Sequence, residues 1–300
     1  MMDLVSVIIP SYGGGQYLSR SIDSVLNQTY PNVEAIIVDD NGLGTINQKK
    51  TAAVLKKYEN NPRVKYICHS ENKNGSAARN TGVKHSSAKY IALLDDDDEY
   101  LPHKIEKQIR DIESLDDSYA LVYCGINIYF NGGFRESHKT YSGSVFYEVM
   151  LHKAVIGSTS MLIRRKVWDE LGGFDESFKR HQDWEFSARV AYKYNVYAED
   201  FIGFNRYILK RNSPQNPDTI LAYRKHYLEK MQPYMSMLST RQQKEIVIVN
   251  IVDVSFQYLK HGKIVKFIKV FFSSNPGMLG LKIILRRLLL IIRRGKLVIS

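Results

Sequence analysis

Four consecutive aspartates, Asp95, Asp96, Asp97 and Asp98, follow the apolar run Tyr90-Ile91-Ala92-Leu93-Leu94. Adjacent carboxylates repel one another and resist burial unless something cationic sits between them. An apolar run of this length reads as a strand buried on both faces. In an open α/β sheet, ligands collect at the carboxyl ends of such strands. A divalent, oxygen-preferring cation that itself grips a phosphorylated ligand would relieve the repulsion and give it a use. A solvated acidic turn is the plainer alternative. Asp39 and Asp40 close a second apolar run, residues 33–38, and Pro10-Ser11-Tyr12-Gly13-Gly14-Gly15 follows a third, residues 5–9. That is the place of a ligand-binding turn, but the spacing G-x-G-x-x-G is absent and no Walker lysine follows.

The elements that must position these groups alternate. Residues 5–9, 33–38, 63–68 and 90–94 read as strands. Leu18, Ile22, Val25 and Leu26 fall at helical spacing, and further helices are expected over 45–58 and 75–84. This order predicts a parallel sheet with right-handed crossovers, both acidic clusters lying at one edge. Beyond Leu101-Pro102 a helix is marked by Ile105, Ile109 and Ile112, followed by a strand over 120–130 and a Gly-rich turn at Asn131-Gly132-Gly133. A strand over 158–163, a helix over 166–171 and a helix opening near Gln182 come next. A linker is expected at Asn212-Ser213-Pro214-Gln215-Asn216-Pro217, then helices over 223–237 and 240–261 and a basic, apolar end. The expected division is an α/β domain at 1–211 and a helical region at 212–300.

Three blocks, "VSVIIPSYGGGQYLSRSIDSVLNQTYPNVEAIIVDDNG", "ENKNGSAARNTGVKHSSAKYIALLDDDDEYLP" and "MLIRRKVWDELGGFDESFKRHQDWEFSARVA", together resemble a family 2 glycosyltransferase of the GT-A fold. The resemblance covers about two thirds of the chain. It implies inverting transfer of a sugar from a nucleotide-diphosphate donor, with Mn²⁺ or Mg²⁺ held by a D-x-D motif. By the same resemblance Pro10 and Tyr12 meet the nucleobase, and Asp40, helped by Asp39, reads a uracil edge. A carboxylate suits that role as an acceptor for the imide N–H. Arg79 is implied to line the nucleotide pocket, with a helix-surface arginine as the plainer reading.

The D-x-D motif maps onto Asp95-Asp96-Asp97. Alternation along an extended strand end would put Asp95 and Asp97 on one side; the resemblance implies Asp97 as the direct metal ligand. By the same resemblance Asp95 approaches the ribose or metal-bound water, Asp96 takes the middle position beside the nucleotide, and Asp98 supports. The family's E-D pair, whose Asp takes the acceptor proton, reads Gln182-Asp183 here. The first acid is missing, Asp183 is the implied base and Glu185 is the fallback. An N-terminal helical Asp also caps or meets the dipole without any catalytic role. Trp184, Gln182, Ser158 and Thr159 fall where donor sugar or acceptor is contacted.

Composition is that of a globular protein, 44% hydrophobic and 24% charged. Two cysteines, Cys68 and Cys124, point to a reducing cytoplasm rather than a disulfide framework. Neither a signal peptide nor a membrane-spanning stretch is expected. The net charge of +11 is uneven: the last hundred residues carry 18 Lys and Arg against 4 Asp and Glu, and none of those acids lies beyond Asp253. The last forty residues interleave Lys and Arg mainly with Ile, Leu and Val, and with only three Phe, where a nucleic-acid groove would alternate cations with aromatics. The stretch 281–294 therefore reads as an amphipathic helix for an anionic membrane surface, or as a core helix with snorkelling arginines. The expected partners are a nucleotide-sugar donor and a glycan or lipid-linked acceptor, with no nucleic acid, at the inner face of a membrane. A sugar-nucleotide nucleotidyltransferase is the competing enzyme, although residues 11–20 lack its Gly-rich, Arg- and Lys-bearing loop.

Overall fold

The computed structural model describes residues 2–130, 133–208 and 216–298. The turn expected at Asn131-Gly132 and the linker expected at Asn212 to Gln215 lie outside the described residues. The chain divides into two compact units, Met1–Val149 with Ala154–Asn212, and Met150–Lys153 with Ser213–Ser300.

Among the described residues the first unit holds nine strands: β1 Val5–Ser11, β2 Val33–Asp39, β3 Val64–Cys68, β4 Tyr90–Leu93, β5 Glu99–Tyr100, β6 Tyr119–Phe130, β7 Gly133–Ser137, β8 Met161–Arg164 and β9 Asn195–Tyr207. Its helices are α1 Leu18–Leu26, α2 Ile46–Leu55, α3 Gly75–Lys84, α4 Lys104–Ser114, the short α5 Phe146–Met150 at the unit's boundary, α6 Arg165–Leu171 and α7 Gln182–Lys193. The strands form one sheet in the order β3-β2-β1-β4-β8-β6-β9-β5, with β7 paired to β6. β1, β2, β3 and β4 are mutually parallel, as their alternation with helices requires. β8 then runs antiparallel to both β4 and β6. The sheet is therefore parallel through its first four strands and mixed beyond them. Apolar runs identify strands but carry no information about their direction, which is why the sequence did not announce the reversal.

β1 and β2 are buried along almost their whole length, and α1 covers them with Leu18, Ile22 and Val25. α3 approaches β1 closely because Gly82 lacks a side chain: a Cβ there would stand 2.3 Å from Ile8 Cγ2. Gly13, Gly14 and Gly15 all have positive φ, between 65° and 95°. The turn after β1 is thus open to glycine and few other residues. Thr45 caps α2 by accepting from the Gln48 N–H, which places the helix start where the polar pattern began.

The second unit is helical, with α8 Pro217–Met235, α9 Thr240–Lys260, α10 Ile264–Ser273 and α11 Gly277–Val298. Ser239 and Gln242 make a capping box at the start of α9. A buried polar knot ties the unit together: Asn250 Nδ2 donates to Met150 O at 3.1 Å, and its Oδ1 receives Arg224 Nη1 at 2.7 Å with His152 Nε2 2.8 Å away. Burial, with Arg224 adding, pushes the His152 pKa down to about 4. Phe271, Phe267, Leu279, Ile283 and Ile284 of α10 and α11 pack with Ile248 and Val252 of α9.

Candidate active site

The acidic run lies just past β4, which ends at Leu93. The Asp98 N–H donates to Asp95 O at 3.1 Å, so the four aspartates form a tight turn. α1 holds that turn from behind: Ser21 Oγ donates to Asp98 O at 2.7 Å and Arg20 Nη2 to Asp97 O at 2.5 Å. Asp96 faces back toward β1, accepting from Ser11 Oγ at 3.1 Å and from the Tyr12 N–H at 3.3 Å. Asp95, Asp97 and Asp98 face one another, with one carboxylate oxygen from each within 4.8 Å of the others. The alternation expected of an extended strand end is corrected here. The turn, not a pleat, brings Asp95 and Asp97 together, and it adds Asp98 to them.

Two cavities open on this turn. The first, about 580 Å³, is walled by Pro10 near the end of β1 and Tyr12 just after it, by Asp40 and residues 72–75, and by Asp95, Asp96 and Asp97. The second, about 450 Å³, is walled by Asp98, Ser158 and Thr159, by Gln182, Asp183 and Trp184 at the start of α7, and by Arg206 of β9. Arg79, Asp95 and Lys179 border both. Arg79, carried on α3, forms an ion pair with Asp95 and donates to Gly75 O at 3.0 Å.

The electrostatics follow from burial beside like charges. Burial raises the Asp98 pKa well above the carboxylate range, Asp95 adds to the rise and Arg206 opposes it. Thr159 Oγ1 donates to Asp98 at 3.2 Å. Burial likewise raises Asp183, Arg79 lowers it, Asp95 raises it, and the Trp184 N–H donates to its Oδ1 at 3.1 Å. Burial pulls Arg206 down, but Asp98, Asp95, Asp183 and Asp97 outweigh it and its pKa is raised. A set of hard oxygen donors strained by mutual repulsion fits a divalent cation. Asp95, Asp97 and Asp98 are the residues that would hold it.

A sequence profile described as "Glycosyl transferase family 2" matches residues 6–172. The chain belongs to that family. The amylovoran biosynthesis glycosyltransferase AmsB of Erwinia amylovora is 24% identical to it over 288 residues, 90% of this chain and 91% of that protein. Other curated relatives are longer than the match: at 34% identity it spans 61% of the length of one, and at 32% identity 29% of another. The crystal structure of S. aureus TarS in complex with UDP-GlcNAc superposes with a TM-score of 0.58 at 16% identity, over 91% of this chain and 92% of that one. The mannosyltransferase PcManGT from Pyrobaculum calidifontis, in complex with GDP-Man and Mn²⁺, gives 0.61 at 15% identity, over 97% and 81%. These likenesses establish the GT-A fold for this family 2 glycosyltransferase.

Several residues of this glycosyltransferase stand differently from what the sequence implied. Asp40 walls the first cavity, but its carboxylate is saturated. Oδ1 is 2.7 Å from His69 Nδ1 and receives the Lys73 N–H at 2.8 Å, while Oδ2 receives Asn72 Nδ2 and the Asn74 N–H, each at 2.9 Å. Four donors fill its acceptor sites and leave none for a uracil imide. Through these bonds it ties down the rim at residues 72–74. Asp39 is fully buried, takes Asn41 Nδ2 at 2.7 Å and Tyr66 OH at 2.9 Å, and does not wall the cavity. The fallback Glu185 is buried and paired with Arg189. It turns to α6 and away from the site, leaving Asp183 alone among the two acids.

Lys179, Arg180, His181 and Arg206 also wall the second cavity, and no motif pointed to them. His181, at φ 65°, stacks on Trp184 with ring centroids 3.9 Å apart. A basic Lys179-Arg180-His181 run directly before Gln182-Asp183 was the available signal. Arg206 had none, because only the pairing of β9 with β6 brings it to the site.

Proposed function

We propose that this glycosyltransferase moves a sugar, with inversion at the anomeric carbon, from a nucleoside-diphosphate donor to a hydroxyl of a glycan or lipid-linked acceptor. The setting we assign is surface polysaccharide synthesis, in keeping with its likeness along nearly the whole chain to an amylovoran biosynthesis enzyme. One observation carries the reading: the acidic turn opens to one cavity, Asp183 to the next, and the two meet at Asp95 and Arg79. Donor diphosphate and acceptor hydroxyl would then arrive from opposite sides of one point.

In this reading the first cavity takes the nucleotide. Tyr12, 62% exposed, offers a ring face to the base, and Lys73 and Lys179 offer cations to the diphosphate. Asp95, Asp97 and Asp98 would hold Mn²⁺ or Mg²⁺, which when bound would supply positive charge against the departing diphosphate. Asp183 accepts the proton of the acceptor hydroxyl as its oxygen attacks the anomeric carbon on the face away from the nucleotide. A positioned base of this kind contributes roughly 10²–10⁴-fold. Burial and Asp95 lift its basicity toward that task, with Arg79 keeping it ionisable.

We assign UDP as the preferred nucleotide, by likeness to the UDP-GlcNAc complex; likeness to a GDP-Man complex makes GDP the competitor. Calorimetric titration of UDP and GDP, each with Mn²⁺ and with EDTA, tests nucleotide and metal together. Equal affinity in Mn²⁺ and EDTA would remove the metal from the reading, and tighter GDP would change the donor.

Residues 1–211 are proposed as the catalytic domain and 212–300 as a membrane-docking region. No helix among the described residues is long and apolar enough to cross a membrane. α10 and α11 nevertheless leave Ile264, Val265, Ile268, Phe272, Leu281 and Leu285 exposed, with Lys263, Lys269, Lys282 and Arg286 exposed among them. Apolar side chains between cations are what an anionic lipid surface binds.

A further inference from the structure

Asp98 is the buried member of the acidic cluster, 2% exposed. A buried carboxylate needs hydrogen-bond donors around it. Among the described residues one side chain donates to it: Thr159, whose Oγ1 stands 3.2 Å from Asp98 Oδ2. Thr159 is itself 4% exposed. A hydroxyl gives one bond and no charge. It takes one of about four acceptor sites on the carboxylate and leaves the others to a cation. Asp95 differs, because there the Arg79 guanidinium brings a positive charge of its own.

The Thr159 hydroxyl is held from behind. Ser158–Ser160 form one tight turn, in which the Ser160 N–H and Oγ donate to Gly157 O at 3.0 and 2.7 Å. Gln108 of α4 donates from Nε2 to Ser160 O at 2.9 Å, and Lys104 Nζ donates to Gln108 Oε1 at 2.7 Å. An ammonium offers donors only, so it fixes which end of the Gln108 amide faces Ser160. Lys104 and Gln108 are fully buried. Burial pushes the Lys104 pKa down to about 8, which leaves the ammonium charged at neutral pH. Its Nζ also lies 4.1 Å from the centre of the Tyr100 ring, and Tyr100 OH donates to Leu93 O at 2.7 Å, two residues before Asp95. A buried cation with no carboxylate hydrogen-bonded to it is costly. Here it joins the two supports of the acidic turn, one leading to Asp98 and the other to the end of β4.

We propose that Thr159 is a positioning residue for the metal site: its hydroxyl sets the Asp98 carboxylate toward Asp95 and Asp97, and Gln108 and Lys104 hold that hydroxyl in place. The assignment rests on the metal-dependent transferase reading above and adds the side chains that orient its ligands. Partners of this kind behind a metal ligand contribute about 10–100-fold in metal affinity.

The test uses the full chain, with Mn²⁺ binding followed by electron paramagnetic resonance in the presence of UDP, and UDP binding in EDTA followed by calorimetry. Thr159→Val keeps the branched shape and removes the donor. It should weaken Mn²⁺ binding about tenfold or more and leave UDP affinity in EDTA unchanged. Thr159→Ser should restore Mn²⁺ affinity to near wild type. Thr159→Cys, close in size to serine but a weak donor, should not, and it carries the test if valine unsettles the turn. Gln108→Met, which releases Ser160 O, should shift Mn²⁺ affinity in the same direction. Equal Mn²⁺ affinity in wild type, Thr159→Val and Thr159→Cys overturns the proposal, as does a serine variant as weak as the cysteine one. A variant that only melts earlier, with Mn²⁺ affinity intact, assigns Thr159 to stability alone and overturns it too. Wild type that binds UDP equally in Mn²⁺ and in EDTA would sink the metal reading itself, and the positioning role with it.

Discussion

Arg79 and Asp95 form an ion pair on the wall common to both cavities, the guanidinium coming from α3 and the carboxylate from the turn after β4. Asp95 is thereby partly neutralised before any cation arrives, which lets it stand beside Asp97 and Asp98. The same guanidinium lowers the pKa of Asp183 across the second cavity. One side chain therefore acts on the metal-binding turn and on the candidate base.

The turn's geometry makes metal dependence the first expectation. UDP should bind more tightly with Mn²⁺ or Mg²⁺, and Asp97→Ala should remove most of that gain while thermal stability stays near wild type. The Asp97 carboxylate has its use in the cation cluster, while its backbone carbonyl makes the contact with Arg20. Calorimetry of the variant with and without Mn²⁺ reads the effect. An undiminished metal effect would move the cation elsewhere.

Asp183→Asn keeps the shape of the side chain and removes its proton acceptor. Transfer should fall by roughly 10²-fold or more, with UDP affinity within a few-fold. The pKa of Asp183 is raised, so in wild type the acidic limb of kcat/KM should lie above the ordinary carboxylate range near ~3.9. The rate should fall as pH drops through that limb, because the base must be ionised to act. An unchanged limb in the Asn variant would mean that another group sets it.

Asp40 separates two roles by experiment. If its carboxylate holds the rim at residues 72–75, Asp40→Asn replaces two of its four acceptor sites with an N–H₂ that meets donors. UDP, GDP and CDP should then all lose affinity together. A loss confined to UDP would restore the base-reading role that the geometry speaks against.

Much of this site was legible because the chemistry sits at strand ends. Apolar runs closed by Asp39-Asp40 and by Asp95 to Asp98 mark both a sheet edge and a charge problem, and the three glycines after β1 mark a turn with positive φ. What was not legible depends on contacts distant in sequence. The saturation of Asp40 requires the segment 69–74, which the β2–β3 register brings alongside it. Arg206 depends on β6 pairing with β9. No local pattern records that pairing. Asp98 joined the cluster only because β4 stops at Leu93 and the chain turns at once.

The buried knot of the helical unit predicts a pH-dependent stability. His152 is held neutral, with its pKa lowered from 6.5 to about 4 by burial and by Arg224. Between those values the unfolded chain binds the extra proton, so stability rises with pH across that window and is lost as pH falls through it. Thermal melts of wild type should show a declining transition temperature from about pH 6.5 to about 4. His152→Gln should flatten that part of the profile. An equal slope in the variant would assign the decline to other groups.

The last expectation concerns α10 and α11. One side of this pair packs on α9 through Phe271, Phe267, Leu279 and Ile283, while Val265, Ile268, Phe272, Leu281 and Leu285 remain exposed. The two readings of the basic end, core helix and interfacial helix, thus describe opposite faces of the same elements. Truncating the segment would disturb the packed face, so substitution of the exposed face is the cleaner test. Val265→Ser, Ile268→Ser, Phe272→Ser and Leu285→Ser combined should leave helix content and UDP binding intact. Cosedimentation with phosphatidylglycerol vesicles should fall sharply, since each basic residue near such a surface contributes only about 1 kcal/mol and weakens with salt. The residual binding should be more salt-sensitive than wild type, because apolar insertion is the part that salt leaves untouched. Vesicle binding that survives the four substitutions with an unchanged salt profile would show that this face is not the one that meets lipid.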